Sequence, residues 1–258
     1  MKHVASAANP LYADLKKQAG EPRLRRKDGV AILDGAHLLG AALEAGLAPD
    51  LLAVAESRID SPEIAALIAR LPERAVMILP DALANALSTV ETPTGLVARI
   101  GIPTPAQTVG AAILLDGVQD PGNVGTMLRT AAAAGLTAAY LSAGSAEAWS
   151  PKALRAGMGA QFVLAIHEHA DLAALIAADP ARVLATDLQA TRSLYDVALP
   201  ADCRFLFGNE GAGLPPELTD AAGLRVRIPM PGRAESLNVA ASAAVCLFEW
   251  VRQQQTAK

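Results

Sequence analysis

Short apolar runs that alternate with helical stretches are the feature that most constrains the fold of this sequence. The runs are apolar at nearly every position, which is typical of strands that are buried on both faces. Strands of this kind, separated by helices, predict a parallel sheet covered on both sides and hence an α/β fold. Strands are predicted at 51–55, 75–79, 96–100, 111–116, 137–142, 162–166, 182–186, 204–208 and 224–229, and helices at 35–45, 62–70, 80–88, from about 123, from 150, at 171–178 and from about 235.

The segment 101–108, GIPTPAQT, interrupts this alternation with two prolines and no apolar periodicity. A chain of 258 residues is long enough for two domains. We therefore predict a basic N-terminal arm at 1–29, a smaller α/β domain at 30–101, a linker at 102–109 and a larger α/β domain at 110–258. The final helix, whose sequence is apolar nearly all round, is expected to be buried in a core or against a second subunit.

Composition excludes several classes of protein. With 52% hydrophobic residues the chain can bury a large core, so disorder is excluded. No apolar run approaches the ~18 residues of a membrane span, and the N-terminus lacks the apolar segment of a signal peptide. Cys203 and Cys246 have no metal-binding spacing and form no disulfide framework. We expect a soluble protein of the cytoplasm.

Charge is concentrated at the N-terminus. Residues 1–30 carry seven Lys or Arg against three Asp or Glu, a local net charge of +4 in a chain whose total is −4. A short basic arm on an acidic body fits contact with a phosphate backbone, and it equally fits a solvated tail that binds nothing. The candidate RNA-binding residues are Arg23, Arg25, Arg26 and Lys27.

Common catalytic signatures are absent from the sequence: it contains no GxxxxGK[ST], GxSxG, HExxH or CxxC, and no GxGxxG after the first strand. His167 and His169 alternate as in a strand, and no further ligands are evident nearby, so a strand end is favoured over a metal site. No metal is predicted.

Three polar segments follow predicted strands of the second domain, at the carboxyl ends where ligands collect in open α/β sheets. In 114–135, Asn123 is a predicted helix cap, and Arg129 either serves a ligand or extends to solvent. In 206–218, three glycines expose main-chain groups that could hold a ligand or form only a tight turn. In 228–245, Ser236 precedes a helix whose N-terminus either accepts an anionic group or is simply capped.

These segments closely resemble the three motifs of the SpoU family, RNA ribose 2′-O-methyltransferases of the SPOUT superfamily. The similar stretches are DPGNVGTMLRTA, LFGNEGAGL and IPM followed by SLNVA, in the family's order. The N-terminal arm, residues 32–47 and 91–98, and the stretch from Ser150 to Ala160 are also similar to family members. The resemblance therefore covers essentially the whole chain.

The resemblance implies a trefoil-knotted α/β domain with a parallel sheet, a smaller N-terminal ribosomal-protein-like domain that binds the RNA substrate, and a homodimer formed through the C-terminal domain. It implies S-adenosylmethionine as methyl donor, with no metal, and rRNA or tRNA as partner. Residues that match the family's polar catalytic positions are Asn123, Arg129, Glu210, Ser236 and Asn238, and those that match its cofactor site are Thr186, Gly208, Ile228, Met230, Ser236 and Leu237.

The function that the resemblance implies is methyl transfer to a ribose 2′-hydroxyl. Arg129 would act there either as base or by orienting a phosphate that takes the proton, and the second role suits a guanidinium with a pKa above ~12. Two alternatives remain open: a base-methylating enzyme of the same fold, and a non-catalytic RNA-binding or ribosome-assembly protein. A nucleotide-binding oxidoreductase is disfavoured because the dinucleotide fingerprint is missing.

Overall fold

The computed structural model describes residues 1–90 and 92–256 of the chain. The chain forms two compact units, one of Met1–Thr104 with Trp149–Phe162 and the other of Pro105–Ala148 with Val163–Lys258. Residues 102–109, the predicted linker, form neither helix nor strand. Within the described residues, no helix is long and apolar enough to span a membrane.

The structure divides into strands and helices that follow the predicted alternation. The strands are β1 Lys2–His3, β2 Val30–Asp34, β3 Leu51–Ala55, β4 Val76–Leu79, β5 Leu96–Gly101, β6 Ala112–Leu115, β7 Ala138–Leu141, β8 Ala165–His167, β9 Val183–Thr186, β10 Arg204–Phe207 and β11 Leu224–Val226. The helices are α1 Pro10–Gly20, α2 Pro22–Asp28, α3 Ala36–Glu44, α4 Pro62–Ile68, α5 Asp81–Leu87, α6 Pro121–Ala133, α7 Pro151–Gly157, α8 Leu172–Ala178, α9 Pro216–Ala221 and α10 Val239–Thr256.

The first unit contains a five-stranded sheet in the order β1-β4-β3-β5-β2. β1, β4 and β3 pair in parallel, whereas β5 runs antiparallel to both β3 and β2. This sheet is therefore mixed, since β5 returns against its neighbours. Tyr12 and Leu15 of α1 pack into the same buried core as Met77 and Leu79 of β4, so the N-terminal residues belong to this unit.

The basic N-terminal segment is ordered into β1, α1 and α2. Asn9 caps α1 by accepting hydrogen bonds from the main-chain N–H groups of Leu11 and Tyr12. Arg25 is only 5% exposed, and its guanidinium donates to the carbonyls of Gln18 and Ala19 at 2.9 and 3.1 Å. These carbonyls lie in the last turn of α1, where free acceptors remain, so Arg25 ties α2 to α1.

The second unit contains a six-stranded sheet in the order β11-β9-β10-β6-β7-β8, and all of its strands run parallel. This confirms the predicted α/β fold with a parallel sheet. Leu114 of β6, Val183 of β9 and Leu206 of β10 share a buried core with Ile176 of α8. Because the strands are parallel, the loops that follow β6, β9, β10 and β11 lie at the same edge of the sheet.

Two helix boundaries differ from the prediction. Helix α6 begins at Pro121 rather than about 123, and its cap is Asp120, whose carboxylate accepts from the N–H groups of Gly122 and Asn123. The predicted cap at Asn123 is wrong because proline favours the first helical position, which places the cap at the preceding residue. Helix α10 begins at 239 rather than about 235, with the Asn238 side chain accepting from the N–H groups of Ala240 and Ala241.

Smaller differences concern the remaining predicted elements. The helix predicted at 62–70 is α4, which ends at Ile68. The strand predicted at 162–166 is β8, which begins only at Ala165. Helix α10 is not buried all round: Ala243, Cys246 and Leu247 are buried, whereas the Phe248 side chain is 50% exposed.

Residues 149–162 form part of the first unit, although they follow the second unit's first strands in sequence. Ser150 caps α7 through its hydroxyl oxygen, which accepts from the N–H of Ala153 at 3.3 Å. Helix α7 packs beside β2, and the Arg155 guanidinium donates to the Thr89 hydroxyl at 2.8 Å. At Gly159, with φ of +93°, an added Cβ would lie 2.9 Å from that of Ala41, so this close approach requires glycine.

Candidate active site

A cavity of about 300 Å³ lies at the carboxyl edge of the second unit's sheet. Its walls are the end of β9 and the loops that follow β9, β10 and β11, together with the start of α10. Its lining includes the fully buried Phe207 and Val226 and residues of the glycine-rich loop. Its volume is at the lower end of the ~300–1,000 Å³ that small-molecule sites occupy.

All the predicted cofactor-site residues line this one cavity. They are Thr186, Gly208, Ile228, Met230, Ser236 and Leu237. They come from three separate segments of the chain, which only the convergence of the strand ends brings together. Apolar walls with exposed main-chain donors and acceptors suit an adenosine-containing ligand such as S-adenosylmethionine.

The glycine-rich loop after β10 is closed by its own main chain. The N–H of Asn209 donates to the carbonyl of Gly213 at 3.0 Å, and the N–H of Gly213 donates back at 2.9 Å. A Cβ on Gly208 would lie 2.4 Å from the carbonyl carbon of Gly213 and 2.5 Å from the nitrogen of Leu214. Gly208 is therefore required for the loop to fold back over the cavity.

Three of the predicted catalytic residues form one hydrogen-bonded chain. The Glu210 carboxylate accepts from the Asn123 side-chain amide at 2.9 Å. The oxygen of that same amide accepts from the Asn238 side-chain nitrogen at 3.1 Å. Since the Asn238 oxygen caps α10, the chain joins the loop after β10 to the N-terminal turns of α6 and α10.

Glu210 is held as a carboxylate. Two main-chain N–H groups, those of Gln119 and Asp120, also donate to it, each at 3.1 Å. Partial burial raises the pKa of Glu210, but the hydrogen bonds from Asn123, Gln119 and Asp120 favour the charged form more strongly, so the pKa lies below its ordinary value. Glu210 thus acts as a fixed acceptor rather than as a proton donor near neutral pH.

The structure places Arg129 and Ser236 apart from this chain of hydrogen bonds. Arg129 lies on α6 with its side chain exposed, and within residues 1–90 and 92–256 its guanidinium has neither a hydrogen-bond nor an ion-pair partner. Ser236 lies in the exposed loop before α10 and lines the cavity. Asn123, Glu210 and Asn238 are therefore brought into contact, Ser236 reaches the cavity, and Arg129 keeps a free guanidinium.

Several residues that support the site were not singled out from the sequence. The Asn209 side chain donates to the carbonyl of Gly117 at 2.8 Å and accepts from the N–H groups of Gly211 and Ala212. Its position between Gly208 and Gly211 could have indicated this role, because asparagine side chains often hydrogen-bond to the main chain of such turns. Asp187 lines the cavity, and Arg225 donates to it at 2.6 Å. Burial raises the pKa of Asp187, but the hydrogen bonds from Arg225 and from the N–H of Gln189, together with the positive charge of Arg225, outweigh that effect, so the pKa is lowered.

The candidate RNA-binding residues lie in the first unit and divide into two groups. Arg23, Arg26 and Lys27 have exposed side chains on α2. Arg25 is buried in the corner between α1 and α2, where a bound RNA has no access to it.

Comparison with known proteins identifies the family. The sequence model of the SpoU rRNA Methylase family matches residues 110–248. The chain is 33% identical to the 23S rRNA (guanosine(2553)-2'-O)-methyltransferase RlmP of Bacillus subtilis (strain 168), covering 96% of this chain and 98% of that protein. A crystal structure of an RNA 2'-O ribose methyltransferase is 29% identical, with a TM-score of 0.84 over 98% of this chain and 99% of that one.

An AdoMet-bound rRNA methyltransferase from Sinorhizobium meliloti is likewise 29% identical, with a TM-score of 0.82 over 97% of each chain. The likeness extends over both units, whereas the family model covers most of the second. The three segments that follow β6, β10 and β11 lie inside the matched residues and supply most of the cavity and the whole Glu210–Asn123–Asn238 chain. The chain therefore belongs to the SpoU rRNA methylase family.

Proposed function

We propose that this protein transfers the methyl group of S-adenosylmethionine to a ribose 2′-hydroxyl of rRNA or tRNA. The observation that carries the proposal is the position of Glu210, which lines the cavity and also ends the hydrogen-bonded chain through Asn123 and Asn238. A ligand pocket and a set of fixed polar groups therefore share one residue. The relatives named above as 2′-O-methyltransferases support the same reaction.

S-adenosylmethionine, when bound, supplies a methyl group already activated by the sulfonium charge. The protein must then align a ribose hydroxyl behind that methyl and assist removal of its proton. Neither task requires a covalent nucleophile on the protein. Thr186, Gly208, Ile228, Met230, Ser236 and Leu237 would hold the cofactor, because all of them line the cavity.

Arg129 is proposed to contact the RNA substrate. Its guanidinium is exposed and has no partner among the described residues, so it is available to a phosphate. A guanidinium remains protonated at pH values far above neutrality, and its fork of donors matches phosphate oxygens. Arg129 would therefore orient a phosphate of the substrate, and the phosphate would accept the proton of the 2′-hydroxyl.

The first unit is proposed to bind the RNA away from the reacting ribose. The exposed side chains of Arg23, Arg26 and Lys27 provide positive charge on α2. Such contacts give affinity that depends on salt and is largely independent of sequence. The target is proposed to be a loop or bulge, where a ribose is accessible.

Three further properties implied by the family resemblance are proposed for this chain. We propose that the second unit contains a trefoil knot, that the protein is a homodimer through this unit, and that it works in the cytoplasm where its RNA is found.

Transfer of tritium from labelled S-adenosylmethionine into separate rRNA and tRNA pools tests the proposal. The wild-type protein should label one pool, and Arg129→Ala should lower the rate by at least about 10²-fold while leaving cofactor affinity unchanged. Arg192→Ala is the matched control, because Arg192 is an exposed arginine of the same unit that does not line the cavity. Wild-type turnover by Arg129→Ala would exclude the assigned role, and absence of label in both pools, with the cofactor bound, would favour a non-catalytic RNA-binding protein.

A further inference from the structure

The four charged residues that line the cavity differ in whether their side chains have partners. Asp187 is paired with Arg225 at 2.6 Å. Glu210 accepts from two main-chain N–H groups and from Asn123. For the other two, Arg227 and Glu235, no side-chain hydrogen bond or ion pair is formed with any described residue, including each other. One cation and one anion are therefore available to a ligand in the cavity.

These two residues are presented by different walls of the cavity. Arg227 directly follows β11, and its main chain is fixed by hydrogen bonds at 2.9 Å to the carbonyl of Arg192 and from the N–H of Leu194. Glu235 lies in the loop before α10. Both side chains are exposed, so they stand where the cavity meets solvent, whereas the buried Phe207 and Val226 line its interior.

We propose that Arg227 and Glu235 bind the amino-acid end of S-adenosylmethionine, an inference that rests on the proposed function. The guanidinium of Arg227 would pair with the ligand's carboxylate, and the carboxylate of Glu235 would pair with its ammonium group. A zwitterion needs one partner of each sign, and the cavity offers one of each. Since both groups are exposed, the zwitterion would keep part of its hydration and the desolvation penalty of a buried ion pair would be avoided.

Pairing at this end adds affinity only for ligands that carry an amino acid. S-adenosylhomocysteine, the demethylated product, carries the amino-acid end, whereas 5′-methylthioadenosine is the same nucleoside thioether without it. The ratio of the two affinities therefore isolates the contribution of Arg227 and Glu235 from that of the adenosine pocket. Neither ligand reacts, so the comparison does not depend on turnover.

Isothermal titration calorimetry of both ligands tests the inference. Arg227→Ala and Glu235→Gln should each weaken S-adenosylhomocysteine binding by about tenfold, the effect of losing one solvent-exposed charge-assisted contact. Binding of 5′-methylthioadenosine should not change, and Arg227→Lys should recover part of the loss. Arg192→Ala and Glu217→Gln are matched controls, being exposed residues of like charge that do not line the cavity.

The outcomes separate this inference from the proposed function. One outcome is that S-adenosylhomocysteine and S-adenosylmethionine both bind the wild type while both variants keep the wild-type ratio of S-adenosylhomocysteine to 5′-methylthioadenosine affinity. In that case the inference is wrong and the proposed function stands. Arg227→Ala that weakens RNA binding alone would likewise overturn it and assign Arg227 to the substrate. If the wild type binds neither adenosyl ligand, the inference and the proposed function both fail.

Discussion

The side-chain nitrogen of Asn238 donates a hydrogen bond to the side-chain oxygen of Asn123 at 3.1 Å, across 115 positions of sequence. Because the nitrogen of Asn123 is bound to Glu210 at 2.9 Å, both ends of its amide are fixed. The Asn238 oxygen is in turn held by two N–H groups of α10. An amide constrained on every side keeps one orientation, which is what alignment of a reacting hydroxyl requires.

Breaking this contact should impair transfer without removing the cofactor pocket. Asn123→Ala and Asn238→Ala should each slow methyl transfer by about 10²-fold. The double variant should be little slower than either single one, because residues of one network are not additive. S-adenosylhomocysteine affinity should stay close to that of the wild type, and Thr126→Ala, an exposed change one turn along α6, is the control. Fully additive losses would indicate that the two asparagines act independently.

Gly208 should be the glycine on which cofactor binding depends most. A Cβ there would lie 2.4 Å from Gly213 main-chain atoms, so Gly208→Ala must displace the loop after β10. We expect at least about tenfold weaker binding of S-adenosylhomocysteine by calorimetry. Gly232→Ala should bind normally, since no atom lies within 4 Å of a Cβ at that position. Equal affinities of the two variants for S-adenosylhomocysteine would contradict the close approach of Gly208 to the main chain of Gly213.

Glu210 should make stability depend on pH in the acid range. Its folded pKa is lowered, so its contribution is fully present above the ordinary value of 4.5 and is lost as the pH falls through the lowered value. Glu210→Gln cannot titrate, so the difference in melting temperature between wild type and variant should be constant from pH 7 to 5 and shrink below about 4.5. A difference that persists or grows at pH 3 would show that the carboxylate is not stabilised by its partners.

Substitutions of Arg23 and Arg25, both on α2, should have different effects. Arg25→Ala should lower the free energy of unfolding by about 2 kcal/mol, because it removes buried charged hydrogen bonds to the end of α1. Arg23→Ala should leave stability unchanged and weaken RNA binding, with a smaller dependence on salt. Chemical denaturation and binding titrations at two salt concentrations measure both effects. If Arg23→Ala lowered stability and Arg25→Ala did not, the result would contradict the buried position of Arg25 and the exposed position of Arg23.

The parallel sheet of the second unit could be predicted because its strands are apolar at nearly every position. Strands β6, β9 and β10 are buried on both faces, which requires apolar residues at most positions. Their predicted and observed ends agree within about two residues. The resemblance to known motifs also selected residues that share one cavity, although no local pattern brings Thr186 near Ser236. Their proximity follows from strand order, which sequence periodicity does not contain.

Other features depended on tertiary contacts that no local signal reveals. The sequence around Arg25 is the same basic stretch that surrounds its exposed neighbours. Arg25 is buried only because α1 and α2 pack together there. Residues 149–162 continue the alternating pattern of the second unit yet pack with the first. The cap of α6 could have been assigned correctly, since Asp120 precedes a proline that suits the first helical position.

The position of the transferred methyl group tests the central claim most directly. RNA methylated by the purified protein would be digested to nucleosides and separated by chromatography with mass detection, with RNA incubated without the protein as the reference. The proposal predicts a 2′-O-methyl nucleoside whose added mass stays with the ribose on fragmentation. Added mass on the base fragment would contradict it and assign the protein to base methylation.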